Sequence, residues 1–204
     1  MWEKERRIFE EIKNEIEEHR EEREEFEKAV EKLLSEYNTA DWENRFVVGG
    51  AIEVLFCALL NSLGFSTKWL KEARYDVEIN GIKFSLKSSF TGSGDIRLIN
   101  VLGDESVSWN EPTIFFISEI GICYADPAMA LHTKRTSDAL VIKAKELKSF
   151  VEENDRWLIK VSIPRKTMFY GSVKTASFSV AKTVLEEINS KYLLKNLPKI
   201  QHQG

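Results

Sequence analysis

The feature that most constrains the fold is a pair of alternating segments on either side of Asn80-Gly81. Segment 75–79 alternates Tyr, Val and Ile with two acidic residues, and segment 82–87 alternates Ile, Phe and Leu with Lys, Ser and Lys. Asn-Gly readily supplies the two positive φ angles of a type I′ turn, so the pattern predicts a β-hairpin. Alternation also places the polar residues of each strand on one face.

Three groups able to do chemistry share that polar face and are expected to meet at one edge of a sheet: Asp76, Ser85 and Lys87. An ordinary amphipathic hairpin with a solvated outer face has the same pattern. The rest of the chain must decide between the two interpretations.

Length and composition predict one soluble domain with no membrane partner and a cytoplasmic location. The 204 residues begin with a charged segment instead of a signal peptide, and the apolar run 54–60 is too short to span a bilayer. Cys57 and Cys123 lie in apolar runs without metal-ligand spacing, so they are interpreted as core residues.

Charge is distributed unevenly along the chain. Residues 1–45 hold 9 basic and 16 acidic residues, a net charge of −7, whereas residues 127–204 hold 14 and 7, a net charge of +7. A phosphate-binding surface requires local positive charge, so the total of −4 does not exclude a nucleic-acid partner.

Residues 3–37 are predicted to form one long charged helix, because they lack Gly and Pro and carry many Glu-to-basic pairs four residues apart. Little apolar surface lies between Glu17 and Glu25, so this helix is expected to pack at both ends, or to lie against a second copy. A second helix, 46–63, is apolar on nearly every side, and Glu53 is its only charged residue. A buried carboxylate needs a partner. The alternatives are an ion pair with Arg74 or Lys87, or a metal site.

The remaining pattern predicts a mixed central β-sheet flanked by helices, an α/β (α+β-like) fold. The segments assigned after the hairpin are a strand or loop edge at 97–101, strands at 113–118 and 122–125, a loop at 132–137, a helix at 140–152, a strand at 156–163, a helix at 179–194 and a frayed tail from Pro198.

A helix with an inward Glu, a strand with Asp and a next strand ending in x-x-Lys together resemble the PD-(D/E)xK nuclease superfamily, and within it the type II restriction endonucleases. The resemblance covers about residues 46–125. It implies a restriction-endonuclease-like fold, with 1–45 as a charged extension, 46–125 as the catalytic core and 126–204 as a basic part carrying DNA-binding loops. It also implies Mg²⁺ as cofactor and Glu53, Asp76, Ser85 and Lys87 as the catalytic positions.

The chemistry explains why such residues would be grouped. Phosphodiester hydrolysis requires charge neutralisation and a positioned water, and Mg²⁺ prefers oxygen ligands. The expected ligands are Asp76, Glu53 and the Leu86 carbonyl, with Lys87 orienting or deprotonating water or offsetting phosphate charge. Ser85 stands where the family has an acid. Either Glu53 or Glu78 replaces that acid, or the site holds one metal ion, or it is degenerate. Tyr75 also replaces the family's proline.

DNA contacts are expected from the loop after Lys87 and from the basic loops further on. The candidates are Ser88, Ser89, Thr91, Ser93, Arg97, Lys134, Arg135, Arg165, Lys166, Met168 and Lys174. Met168 and its aromatic neighbours could stack on bases or could be core residues.

Three functions compete at this point. The first is a homodimeric type II restriction enzyme that cleaves double-stranded DNA at a short palindromic site. The second is a structure-specific repair or junction nuclease of the same fold. The third is a non-catalytic DNA-binding module, which Ser85 favours.

Overall fold

The structure is a computed structural model that describes residues 1–37, 42–70, 72–101, 106–165 and 177–200. Its helices are α1 (Glu3–Glu18), α2 (Arg20–Glu36), α3 (Trp42–Ser62), α4 (Ala144–Glu153) and α5 (Ser177–Glu187). Its strands are β1 (Thr67–Trp69), β2 (Val77–Ile79), β3 (Ile82–Ser89), β4 (Asp95–Asn100), β5 (Thr113–Ile117), β6 (Gly121–Ala125), β7 (Lys134–Arg135), β8 (Ala139–Lys143), β9 (Leu158–Ile159) and β10 (Lys199–Ile200).

The described strands form a mixed sheet in the order β10-β1-β2-β3-β5-β6-β9 and a smaller antiparallel sheet in the order β4-β8-β7. Within the large sheet, β3 runs parallel to β5, and β10 runs parallel to β1. The predicted mixed α/β class is therefore confirmed. Among the described helices, none combines the length and apolar character that a bilayer span needs.

The hairpin forms as predicted. Asn80 and Gly81 have φ angles of 49° and 83°, and Ile79 pairs with Ile82 across the turn. Beyond Phe84, which pairs with Val77, strand β3 continues without β2 beside it. This unequal strand length exposes one edge of β3 at the end of the hairpin.

Helices α1 and α3 cover the same face of the large sheet. Phe9 of α1 contacts Tyr124 with ring centroids 5.3 Å apart, and Phe56 of α3 contacts Phe116 at 5.1 Å. Tyr124 pairs with Ile114, which points to the same side as Phe116 two residues on. Ser85 and Lys87 alternate with the residues of that face and line a cavity beside β4 on the other side.

The single helix predicted for residues 3–37 is wrong, because it breaks at His19, whose backbone is not helical (φ −101°, ψ 78°). The two apolar stripes face different partners. The apolar residues of α1 pack on the sheet. The apolar residues of α2, including Phe26 and Leu33, pack near α3 and α5. A straight helix could not place both stripes against these different partners. The charged segment between the stripes has no apolar surface to bury. The expectation of packing at both ends is confirmed.

The C-terminal half differs most from prediction. Segment 140–152 divides into strand β8 and helix α4, since buried residues 139–142 pair with β4, and helical burial begins only at Ala144. Residues 134–135 form β7 within the predicted loop. The strand predicted at 156–163 is limited to the short β9, which follows a 3-10 turn, and residues 160–163 are not in a strand.

The predicted C-terminal helix and tail also need correction. Helix α5 ends at Glu187, because Asn189 adopts a left-handed conformation (φ 55°) and Glu25 of α2 accepts the backbone N–H groups of the following residues, including Leu193 at 2.7 Å. The tail is not frayed at 199–200, which pairs with β1.

Candidate functional site

Asp76 lies at the end of the hairpin, directly before β2, and fills the edge that β3 leaves open. Its backbone N–H donates to the Phe84 carbonyl at 3.0 Å. Its carboxylate oxygen Oδ2 accepts the Leu86 N–H at 2.6 Å and the Ser85 hydroxyl at 3.1 Å. The side chain thus takes the place of the missing neighbouring strand, which fixes its orientation.

Lys87 pairs with the same carboxylate oxygen. Its Nζ lies 3.7 Å from Asp76 Oδ2, and the two side chains are 27% and 26% exposed. The predicted meeting of Asp76, Ser85 and Lys87 is therefore confirmed as geometry. No hydrogen bond from the described residues reaches Asp76 Oδ1, which leaves that oxygen available to a ligand.

Glu53 reaches this region from α3 and is partly buried. Among the described residues, neither Arg74 nor Lys87 lies within ion-pair distance of Glu53, so the ion-pair alternative does not hold. Instead, Glu53 Oε2 accepts the indole N–H of Trp69 at 2.9 Å, from a strand that sequence analysis missed. Burial raises the pKa of Glu53 to about 8, with a further contribution from the negative charge of Asp76, while the Trp69 hydrogen bond and Lys87 act in the opposite direction.

Glu78 and Arg74 have different partners from those expected. Glu78, a candidate for the acid missing at Ser85, pairs with Lys68 at 2.6 Å on the neighbouring strand. Arg74, a predicted partner of Glu53, lies near Glu111 instead, with Nε and Oε1 3.2 Å apart. Glu111 was not singled out by sequence analysis, because a single acid just before a predicted strand carries no signal.

A cavity of about 330 Å³ opens beside the Asp76–Lys87 pair. Its lining includes Arg74, Ser85, Lys87, Arg97 and Glu111. Three of these five side chains carry the positive charge that a phosphate group requires, and each of the three is paired with a carboxylate: Arg74 with Glu111, Lys87 with Asp76 and Arg97 with Asp138.

The residues around Asp76 offer few oxygen ligands for a Mg²⁺ ion. Within the described part of the chain, no group of three His, Cys, Asp or Glu side chains converges as a metal site. Mg²⁺ is nevertheless commonly held by one or two carboxylates and keeps several waters. Asp76 Oδ1 is the oxygen that would bind such an ion. The Leu86 carbonyl lies on the same strand edge as its N–H, which already faces Asp76. Glu53 would be a ligand only when deprotonated.

The loop predicted directly after Lys87 begins only after Ser89, because Ser88 and Ser89 still belong to β3 and pair with β5. Ser88 alternates with Lys87 and lies near Gly49 of α3, so it faces the helix layer. Thr91 donates to the Ser93 carbonyl at 2.7 Å, and its hydroxyl is 3.4 Å from that of Ser89. The structure therefore separates Ser88 from the exposed hydroxyl groups that follow.

The basic candidates are partly held by protein contacts. Arg97 donates to Asn100 at 2.8 Å and Asp138 at 2.6 Å, Arg135 donates to the Val107 carbonyl at 2.6 Å, and Arg165 donates to Glu119 at 2.6 Å. Arg97 and Lys134 pair with the same residue of β8, Val141, from opposite sides. They therefore share one face of the small sheet about 10 Å apart, two strand spacings. Lys166, Met168 and Lys174 lie outside the described residues.

Comparison with known families, curated proteins and solved structures found no match to this chain. What the fold and site define is a mixed α/β protein with an Asp–Lys pair at the open edge of a hairpin. Any functional assignment depends on the residues themselves.

Proposed function

We propose that this protein is a Mg²⁺-dependent double-stranded DNA endonuclease that resembles the type II restriction enzymes. The observation that carries the proposal is the Asp76–Lys87 pair, held 3.7 Å apart at the edge of β3 with the Leu86 carbonyl beside it. A carboxylate, a carbonyl and an ammonium group at one strand edge suit cation-assisted phosphodiester hydrolysis.

The chain's own residues have separate tasks in this reaction. The Leu86 N–H and Ser85 hydroxyl orient Asp76 through Oδ2, and no described residue donates to Oδ1. Lys87 lies where an ammonium group can orient the attacking water or offset charge on the phosphate. A bound Mg²⁺ ion would supply charge neutralisation and a more acidic water.

DNA would approach across the cavity and the small sheet. Arg97 lines the cavity together with Lys87, and Lys134 continues the same row on β7. A row of cations that leads away from the reacting group is suited to successive phosphates. A homodimer acting on a palindromic site is part of the proposal, since each subunit would then cut one strand.

A non-catalytic DNA-binding module is the second candidate, and Ser85 favours it. A hydroxyl that donates to Asp76 occupies the position where the nuclease family has an acid. The remaining candidate, a structure-specific nuclease, shares the same site and differs only in substrate.

The test is cleavage of unmethylated plasmid and branched DNA with Mg²⁺ or with EDTA. Lys87→Gln is compared with Lys83→Gln, a matched variant on the same strand whose lysine pairs with Glu72 at 2.8 Å. Discrete fragments that require Mg²⁺ and Lys87, but not Lys83, support a sequence-specific endonuclease. Cleavage confined to branched DNA, or a smear, supports the structure-specific or nonspecific alternative. Duplex binding without cleavage supports the non-catalytic module.

A further inference from the structure

Glu111 is a buried carboxylate with an incomplete set of partners. It lies just before Pro112 and β5, and its side chain is only 5% exposed. Oε2 accepts the Asn110 N–H at 3.1 Å, but Oε1 receives no hydrogen bond from the described residues. Burying a carboxylate oxygen without a donor is unfavourable, so this oxygen requires an explanation.

Arg74 is the nearest cation but not a hydrogen-bonding partner. Its Nε is 3.2 Å from Oε1, yet the geometry does not make a hydrogen bond. The Arg74 side chain is 63% exposed, and it lies two residues before Asp76. A mostly solvated side chain is a replaceable source of positive charge, in contrast to the fixed backbone donor on Oε2.

The position of Glu111 connects it to the Asp76 cluster. The Ser85 N–H donates to the carbonyl of Pro112 at 3.0 Å, so Glu111 is one residue from a direct contact with β3. Ser85 in turn bonds to Asp76 at 3.1 Å. Glu111 also shares its cavity with Ser85 and Lys87. Asp76 therefore lies on the β2 side of Ser85, and Glu111 comes just before its neighbour on the β5 side, so the two acidic residues flank the residue that stands in place of an acid.

We infer that Glu111 supplies this missing acid and binds a divalent cation together with Asp76. Arg74 neutralises Glu111 until the cation arrives and is then released toward the DNA phosphate. This inference rests on the proposed function, because it assigns a second carboxylate to the same site. It agrees with the preference of Mg²⁺ for carboxylate oxygen and with the lack of any hydrogen bond to Oε1 from the described residues.

The test is direct binding of Mn²⁺ to the full chain at neutral pH, followed by the electron paramagnetic resonance signal of the free ion. Three variants are compared with the wild type: Glu111→Gln, Arg74→Gln and Glu119→Gln. Glu119 is the matched control, because it also pairs with an arginine, Arg165, but lies outside the cavity. Thermal unfolding checks that each variant is folded.

Glu111→Gln is expected to weaken Mn²⁺ binding at least about tenfold. Arg74→Gln is expected to strengthen it severalfold, since a competing cation is removed. Glu119→Gln should remain within about twofold of the wild type. Wild-type affinity in a folded Glu111→Gln variant, or no Mn²⁺ binding by the wild type at millimolar concentration, would overturn the inference. If Glu111→Gln does not fold, unchanged affinity in Arg74→Gln overturns it.

The outcome can be separated from that of the nuclease proposal. If the wild type never cleaves DNA but its Mn²⁺ binding requires Glu111, the cation site is supported and the nuclease proposal fails. If the wild type and Glu111→Gln cleave DNA equally well, the nuclease proposal is supported and Glu111 is not a ligand.

Discussion

The backbone N–H of Leu86 donates to Asp76 Oδ2 at 2.6 Å. A side chain thus completes the hydrogen bonding of β3 where that strand extends beyond its neighbour β2. The contact would tie stability to the proposed function, since the same carboxylate pairs with Lys87. Substitutions that differ only in hydrogen-bonding capacity should therefore separate the two roles.

Asp76→Ala is expected to lower the free energy of unfolding by about 1–3 kcal/mol, because the Leu86 N–H loses its acceptor. Asp76→Asn retains an oxygen acceptor and should lose less. Both variants should lose cleavage by at least about 100-fold, because neither carries the charge. Urea denaturation and cleavage of the same preparations measure the two effects. Equal stability loss in both variants would contradict the assigned hydrogen bond.

Glu53 is expected to make the free energy of unfolding depend on pH. Its pKa is about 8 in the folded chain, against an ordinary value of 4.5, so the folded state holds its proton more tightly between those values. Stability contributed by this group is present below pH 4.5 and decreases as the pH rises towards 8. The slope is at most about 1.4 kcal/mol per pH unit.

The measurement is urea denaturation from pH 5 to pH 8 in EDTA, for the wild type and Glu53→Gln. The variant cannot ionise, so the difference in unfolding free energy should shift in its favour as the pH rises. Parallel curves for the two proteins would show that Glu53 does not titrate in this range.

Lys134 is expected to contribute to the salt dependence of DNA binding. If it contacts a phosphate, Lys134→Ala should weaken binding to every duplex sequence and reduce the slope of log affinity against log salt by about one. Lys148→Ala is the control, because Lys148 is an exposed lysine on α4 that pairs with Glu152. Equal slopes for the wild type and Lys134→Ala would remove Lys134 from the interface.

Asp126 anchors α1 to the sheet. It is fully buried, accepts two hydrogen bonds from Arg6 at 2.7 and 2.9 Å, and accepts the Tyr124 hydroxyl at 2.9 Å. Arg6→Ala leaves a buried carboxylate without its cation and should cost about 3–5 kcal/mol. Arg7→Ala, at an exposed neighbouring position, should stay within about 0.5 kcal/mol. Chemical denaturation compares the two, and similar losses would contradict the anchoring role.

The local parts of this structure could be predicted from the sequence. The Asn80-Gly81 turn, strands β5 and β6, helix α3 and the meeting of Asp76 with Lys87 depend on alternation, turn chemistry and neighbours close along the chain. The division of 140–152 could not be predicted, because a short apolar run suits a buried strand or helix equally until its partner, β4, is known.

The sequence by itself determined a mixed α/β chain with a polar hairpin face, because periodicity and turn residues act over a few positions. Only the tertiary structure decided which partners these groups have. Trp69 bonds to Glu53 across 16 residues, and Arg74 approaches Glu111 from a distant segment. Such pairs depend on which strands become neighbours, and the packing of the whole chain sets that order.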